Sequence, residues 1–156
     1  NSKVCMKQKS FDHDEEILTQ INARIRRGVA DPEEAALDVN RIVKTASDAV
    51  IEVNRELGSG FPDKVYENAL MLELRKQGLR GRSHVPVKVK YKGVDVGDYF
   101  ADVIVEDQVV IDIMTVEKIQ KQHEVDLIGI LKATNYKIGL IVNFVNQKAE
   151  IRRIVV

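Results

Sequence analysis

Apolar and polar positions change rhythm along this chain, and each rhythm predicts an element. From Glu15 to Arg27, Ile17, Leu18, Ile21 and Ile25 recur at three- and four-residue spacing, which predicts a short amphipathic helix stopped by Gly28. Asp31-Pro32-Glu33-Glu34 then has the form of a helix start, with a capping aspartate, proline in the first helical position and glutamate in the third. Leu37, Val39, Ile42, Val43, Ala46, Val50, Val53 and Leu57 keep the helical period up to Gly58, so a long helix is expected, with a break near Asp38. Gly58-Ser59-Gly60-Phe61-Pro62 predicts a tight turn. A further helix follows from Pro62-Asp63 through Val65, Tyr66, Ala69, Leu70, Leu72 and Leu74 to Gln77, closed by Gly78.

After a basic link the period falls to two. Val85, Val87, Val89 and Tyr91 alternate with polar neighbours, and Pro86 puts the start of that strand at a sheet edge or end. Lys92-Gly93 turns the chain, Val94 and Val96 alternate again, and Gly97 permits a bend into a strand from Tyr99 to Val105. Glu106-Asp107-Gln108 makes the next reversal. Val109 to Val116 is almost continuously apolar, broken only by Asp112 and Thr115, as in a central strand covered on both faces. Lys118 to Thr134 returns to helical spacing with Asn135 as its C-terminal cap, and Ile138–Phe144 and Ala149–Val155 read as two more strands. The order is three helices, three antiparallel strands, a helix and two strands, a mixed α/β or α+β class. The helix between the third and fourth strands allows those two to pair in parallel through a right-handed crossover.

Composition narrows the picture. At 156 residues, 44% hydrophobic and 31% charged, the chain makes one domain or a domain with an appendage, and two catalytic domains are excluded. Lys plus Arg and Asp plus Glu are 24 each, so no global field draws the protein to nucleic acid or to an anionic membrane. The charges are nevertheless segregated: Arg75, Lys76, Arg80, Arg82, Lys88, Lys90 and Lys92 form a wholly basic stretch. Asp95, Asp98, Asp102, Glu106, Asp107, Asp112 and Glu117 form a wholly acidic one after it. These charges either pair across neighbouring strands or serve a site that holds divalent cations against a phosphate backbone. The single cysteine, Cys5, excludes an internal disulfide and a thiolate zinc site. A polar start and the lack of a long apolar run lead to a cytoplasmic protein with no membrane association as the expectation.

Three carboxylates stand out. Asp112 lies in the most apolar strand, on the face of Val110 and Met114 and opposite that of Val109, Ile111 and Ile113. Asp102 is equally isolated in the preceding strand, and Glu67 follows Tyr66 on the helix after the glycine turn. Two strand carboxylates and a helix carboxylate make an all-oxygen set suited to Mg²⁺ or Mn²⁺. The alternative is that Asp102 and Asp112 sit near strand ends and reach water or a lysine. His123 and Tyr66 fit packed, hydrogen-bonded core positions as well as site roles, and no phosphate loop, nucleophile elbow or zincin helix is present.

Gly60-Phe61-Pro62-Asp63-Lys64-Val65-Tyr66-Glu67-Asn68-Ala69-Leu70 resembles the signature of the GxxExxY protein family, with Asp63 where that family prefers glutamate. Leu57-Gly58, Val85-Pro86-Val87, Tyr91-Lys92-Gly93, Asp102, the Val109–Val116 strand, Val116-Glu117-Lys118-Ile119, Leu131-Lys132-Ala133-Thr134 and Gly139 to Phe144 extend the resemblance over roughly residues 40 to 156. The family is similar to the PD-(D/E)XK nucleases, which implies a restriction-endonuclease-like core of helix, three strands, helix and further strand. It also implies cation ligands at Asp102 and Asp112, with Glu67 beside them in the catalytic set. The lysine that would assist the attacking water is replaced by Met114, which carries no charge and donates no hydrogen bond. Asp126 and Ile130 stand where relatives tend to carry a glutamine and a tyrosine. Lys88, Lys90, Lys118, Lys121 and Lys132 are the nominees for a relocated lysine.

Two functions follow as expectations. The first is a nuclease-like domain (residues 39–156) behind an N-terminal helical extension (residues 1–38). It keeps the metal carboxylates, contacts nucleic acid through Arg80, Arg82, Lys88 and Lys90, and is impaired as a Mg²⁺-dependent phosphodiesterase. The second is a non-enzymatic interaction or assembly module that reuses the fold. The extension would dock on the core or on a second subunit, which keeps a homo-oligomer among the expectations.

Overall fold

The computed structural model describes the backbone of residues 32–156 and the side chains from Asp38 onward; the helix expected over Glu15–Arg27 lies outside the described residues. α1 (Pro32–Leu57) is one unbroken helix. The expected break at Asp38 does not occur, because that residue faces solvent and its carboxylate needs no gap in the helix. The turn after it brings α2 (Asp63–Lys76) back alongside. Tyr66 of α2 is fully buried and stacks on Phe144 with ring centroids 4.3 Å apart, and its hydroxyl donates to the Gly58 carbonyl at 2.7 Å. One tyrosine thus fixes both the turn and the seat of α2.

β1 (Gly81–Tyr91), β2 (Val94–Val105) and β3 (Val109–Met114) form an antiparallel meander. α3 (Lys121–Thr134) then crosses over, so that β4 (Ile138–Asn143) lies parallel to β3, and β5 (Glu150–Val155) returns antiparallel at the far edge. The sheet order is β1-β2-β3-β4-β5. Both hairpin turns use paired left-handed residues, Lys92 and Gly93 at φ 50° and 81° and Glu106 and Asp107 both at 52°, which matches the right-handed twist of the flanking strands.

The alternation in β3 separates two cores. Val109, Ile111 and Ile113 pack with α1 and α2 through Ile42, Ala46, Val50, Val53, Leu70 and Leu74. Val110 and Met114 pack on the other face with Ile119, Leu127, Ile130 and Leu131 of the α3 segment.

Four boundaries differ from the periodicity. β1 begins at Gly81 rather than Val85, because its first residues are fixed by backbone pairing with Val103–Val105 and not by side-chain burial. β2 runs unbroken through Gly97; a register shift between Val89 and Lys90 absorbs the bend. β3 stops at Met114, since the amide of Asn143 then takes both the N–H of Val116 (3.2 Å) and its carbonyl (2.8 Å), in place of a strand neighbour. α3 starts at Lys121 because Gln120 is its N-cap, with the Gln120 N–H donating to His123 Nδ1 at 2.9 Å.

Candidate functional site

β2 and β3 pair for only three residues: Val105 with Val109, Ile104 with Val110, and Val103 with Ile111. Beyond them a side chain takes over from the backbone. Oδ2 of Asp102 accepts the Ile113 N–H at 2.9 Å, so a carboxylate stands where the next ladder carbonyl would be. β2 also rolls over here. Ala101 packs in the α3-side core and Val103 in the α1–α2 core, although residues two apart in a strand ordinarily share a face. His84 of β1, between the Ser83–Val103 and Val85–Ala101 pairs, has φ 50°, so both strands of the hairpin turn over at the same level. Asp102 therefore marks where the sheet parts, with Asp112 beside the gap.

Asp112 is half-buried, and its carboxyl is pushed up from 3.8 to about 8. Burial is the largest cause, followed by a hydrogen bond with Asp102 and then by the negative charges of Asp102, Asp126 and Asp63. Three carboxyl groups, from β2, α2 and α3, thus act on Asp112. Asp63 is held there by the Thr115 hydroxyl, which donates to its Oδ1 just past the end of β3. It is the residue periodicity alone passes over. Its signal in the sequence is its place at the fourth position of the Gly60-x-x-Asp63-x-x-Tyr66 motif. Glu67, one turn further along α2, is buried and pairs with Lys64 at 3.4 Å. Among the described residues no three His, Cys, Asp or Glu side chains converge as a metal-holding group, so Glu67 does not complete a triad with Asp102 and Asp112. Asp102 and Asp112 share a hydrogen bond, and no third carboxylate is assembled beside them among the described residues.

The remaining candidates find other partners. Met114 is buried in the α3-side core. His123 caps α3, and the Tyr66 hydroxyl serves Gly58 rather than the acids. The four basic residues fall into two separate groups. Arg80 and Arg82 sit at the β2–β3 turn, paired with Glu106 (3.3 Å) and Asp107 (2.6 Å), at the end of β3 opposite Asp112. Lys88 and Lys90 lie further out on β1 and share Asp95 at 3.4 and 3.8 Å. The basic and acidic stretches therefore neutralise one another across the β1–β2 hairpin to a large extent. Asn143 is a further positioning residue: buried to 1% exposure, it holds the chain leaving β3 and so fixes the rim beyond Asp112.

The PD-(D/E)XK nuclease superfamily matches residues 40–154, which is most of the chain and contains every element from α1 onward except the start of that helix and the last residue of β5. The chain belongs to this superfamily, and its five-stranded mixed sheet flanked by helices is the restriction-endonuclease-like fold. Comparison with curated proteins finds no match, and neither does comparison with solved structures. No described helix is long and apolar enough to cross a membrane.

Proposed function

We propose that residues 39–156 form a nuclease-fold domain of the GxxExxY type, with residues 1–38 as its extension. The domain keeps a two-carboxylate cation site at Asp102 and Asp112 and binds nucleic acid, while its hydrolytic power is impaired by methionine at position 114. The observation that carries this reading is the Asp102 carboxylate at the parting of β2 and β3, hydrogen-bonded to Asp112, which also feels the negative charges of Asp126 and Asp63. A purely structural role would not crowd like charges at one point, since each raises the cost of ionising the next. Asp102 and Asp112 would hold Mg²⁺ or Mn²⁺, and the further carboxylates whose charges act on Asp112 are Asp126 and Asp63, not Glu67. The cation, when bound, supplies Lewis-acid polarisation of a phosphodiester and a more acidic water. A lysine at position 114 would ordinarily add a factor of about 100 to 10,000 as a proton-handling group. No basic side chain is among the causes acting on Asp112, which fits an impaired catalyst.

The test is the melting temperature with and without millimolar Mn²⁺, for wild type and for Asp112→Asn, because a ligand of the native state alone raises stability. A rise of several degrees in wild type that Asp112→Asn abolishes supports the cation site, and Met114→Lys is then expected to raise Mn²⁺-dependent cleavage. No rise in wild type overturns the site.

A second reading, a non-enzymatic interaction module, is favoured by one observation. Met114 is built into the apolar core beneath α3, where a lysine would have to bury or displace its charge. Absence of both the Mn²⁺ rise and nucleic-acid binding selects it.

A further inference from the structure

Past Asp102 the β1–β2 hairpin continues as a two-stranded arm, with Val85–Tyr91 against Val94–Ala101 and, among the described residues, no third strand on β2. Between this arm and the second half of α3 runs a cleft of about 580 Å³ lined by Lys88, Val89, Lys90, Tyr99, Gly129, Lys132 and Ala133. Three lysines from two elements converge on it around one aromatic ring. Lys88 and Lys90 share the single carboxylate of Asp95 at 3.4 and 3.8 Å and keep more than half of their side-chain surface in solvent. Lys132 has no carboxylate partner among the described residues. Asp98 stands across the ladder from Lys88, so three lysines are set against two aspartates and the cleft keeps a surplus of one positive charge, unlike the Arg80–Arg82 end, where each cation has its own acid.

We propose that this cleft holds a single strand of nucleic acid, its phosphates on Lys88, Lys90 and Lys132 and a base against the half-exposed ring of Tyr99. The proposal rests on the nucleic-acid-binding reading above and deepens it. Three features point to this occupant. Lys88 and Lys90 are about 6.6 Å apart along β1, a spacing suited to a repeated charge and not to one isolated anion. The Tyr99 ring, which lies against Gly129 of α3, offers a stacking face that every base can use. The cleft also leads to the acids. Asp126, whose charge acts on Asp112, stands on α3 before Gly129 and Lys132, about 4.5 and 9 Å further along the helix axis. A strand lying along α3 therefore brings the next phosphate towards the parting of β2 and β3.

The experiment is fluorescence anisotropy of a labelled single-stranded oligothymidine, its RNA counterpart and a duplex of equal length, titrated with the full chain in EDTA over a salt series. Working in EDTA separates this binding from the cation site. Lys132→Ala is expected to weaken single-strand binding about three- to tenfold and to flatten the salt dependence by about 0.7 in log–log slope. Tyr99→Leu should weaken it roughly five- to a hundredfold. Arg55→Ala, which removes the same charge from an ion pair on α1, should change neither. These side chains are exposed, and unchanged melting temperatures establish that the variants fold. If wild type binds while Lys132→Ala and Lys88→Ala bind equally well, the cleft is not the site and the broader reading survives. If duplex binds as tightly as single strand, the single-strand assignment fails. If wild type binds nothing in EDTA or in Mn²⁺, both fall.

Discussion

β3 and β4 have a strand on each edge and helices over each face, whereas among the described residues the β1–β2 arm beyond Asp102 has only itself and one side of α3. The consequence is visible residue by residue. In β4 all six residues are buried, and in β3 every one but Asp112. In the arm Tyr91, Val94, Val96 and Phe100 lie open although they too are apolar. The same β-branched and aromatic residues therefore do different work. In the centre they are the core; in the arm they stiffen a ribbon whose charges face solvent. Asp102 and Asp112 sit where one regime gives way to the other, which is where a sheet has unpaired backbone positions for polar side chains to occupy.

The comparison breaks most sharply in the centre. Phe144→Ala removes the ring stacked on Tyr66 and should cost about 3–5 kcal/mol, read as a loss in denaturant midpoint with unchanged slope. Gly139→Ala should cost about 1–3 kcal/mol. A Cβ there would stand 2.9 Å from Leu127 Cδ2, and α3 cannot move off β4 without opening the core beneath it. At the boundary, Asp112→Asn tests the crowded carboxylates. The native state holds the Asp112 proton up to about 8 while the ordinary value is 3.8, so the native state binds more protons between those limits. Its contribution to stability is therefore complete below the lower value and is lost as pH rises through the upper one. Asparagine does not titrate. Wild type should lose melting temperature relative to Asp112→Asn between pH 4 and 8, and a constant difference across that range would contradict the assignment. In the arm, Val96→Ala should change stability by no more than about 0.5 kcal/mol, since the side chain is already 60% exposed.

Much of the fold is legible in the chain because local rules and burial agree. Lys92-Gly93 and Glu106-Asp107 supply the left-handed residues that tight hairpins need. The Val109–Met114 run could be covered only from both faces, and its alternation divides the two cores with Asp112 and Met114 on the α3 side. A helix between β3 and β4 made their parallel pairing the natural connection. Asp102 and Asp112 stand out because isolated carboxylates in apolar strands demand partners.

Other features depend on contacts between residues distant in sequence, which no local pattern records. Gly81–His84 reads as a link because its side chains are polar, yet it is strand because β2 has backbone groups to pair with it. Glu67 and Asp63 are one helical turn apart and equally acidic; only the seat of α2 under Tyr66 and the Thr115 hydroxyl brings Asp63 to the end of β3. The basic and acidic stretches are separated along the chain, but the hairpin sets them against each other and leaves Lys132, from a different element, to give the cleft its surplus charge. The sequence by itself determined the order of elements from α1 onward, the turns and the two isolated aspartates, because those follow from backbone preference and the cost of burying charge. Tertiary structure alone decided which acids meet and which cations stay free, because electrostatics acts through distances that folding sets.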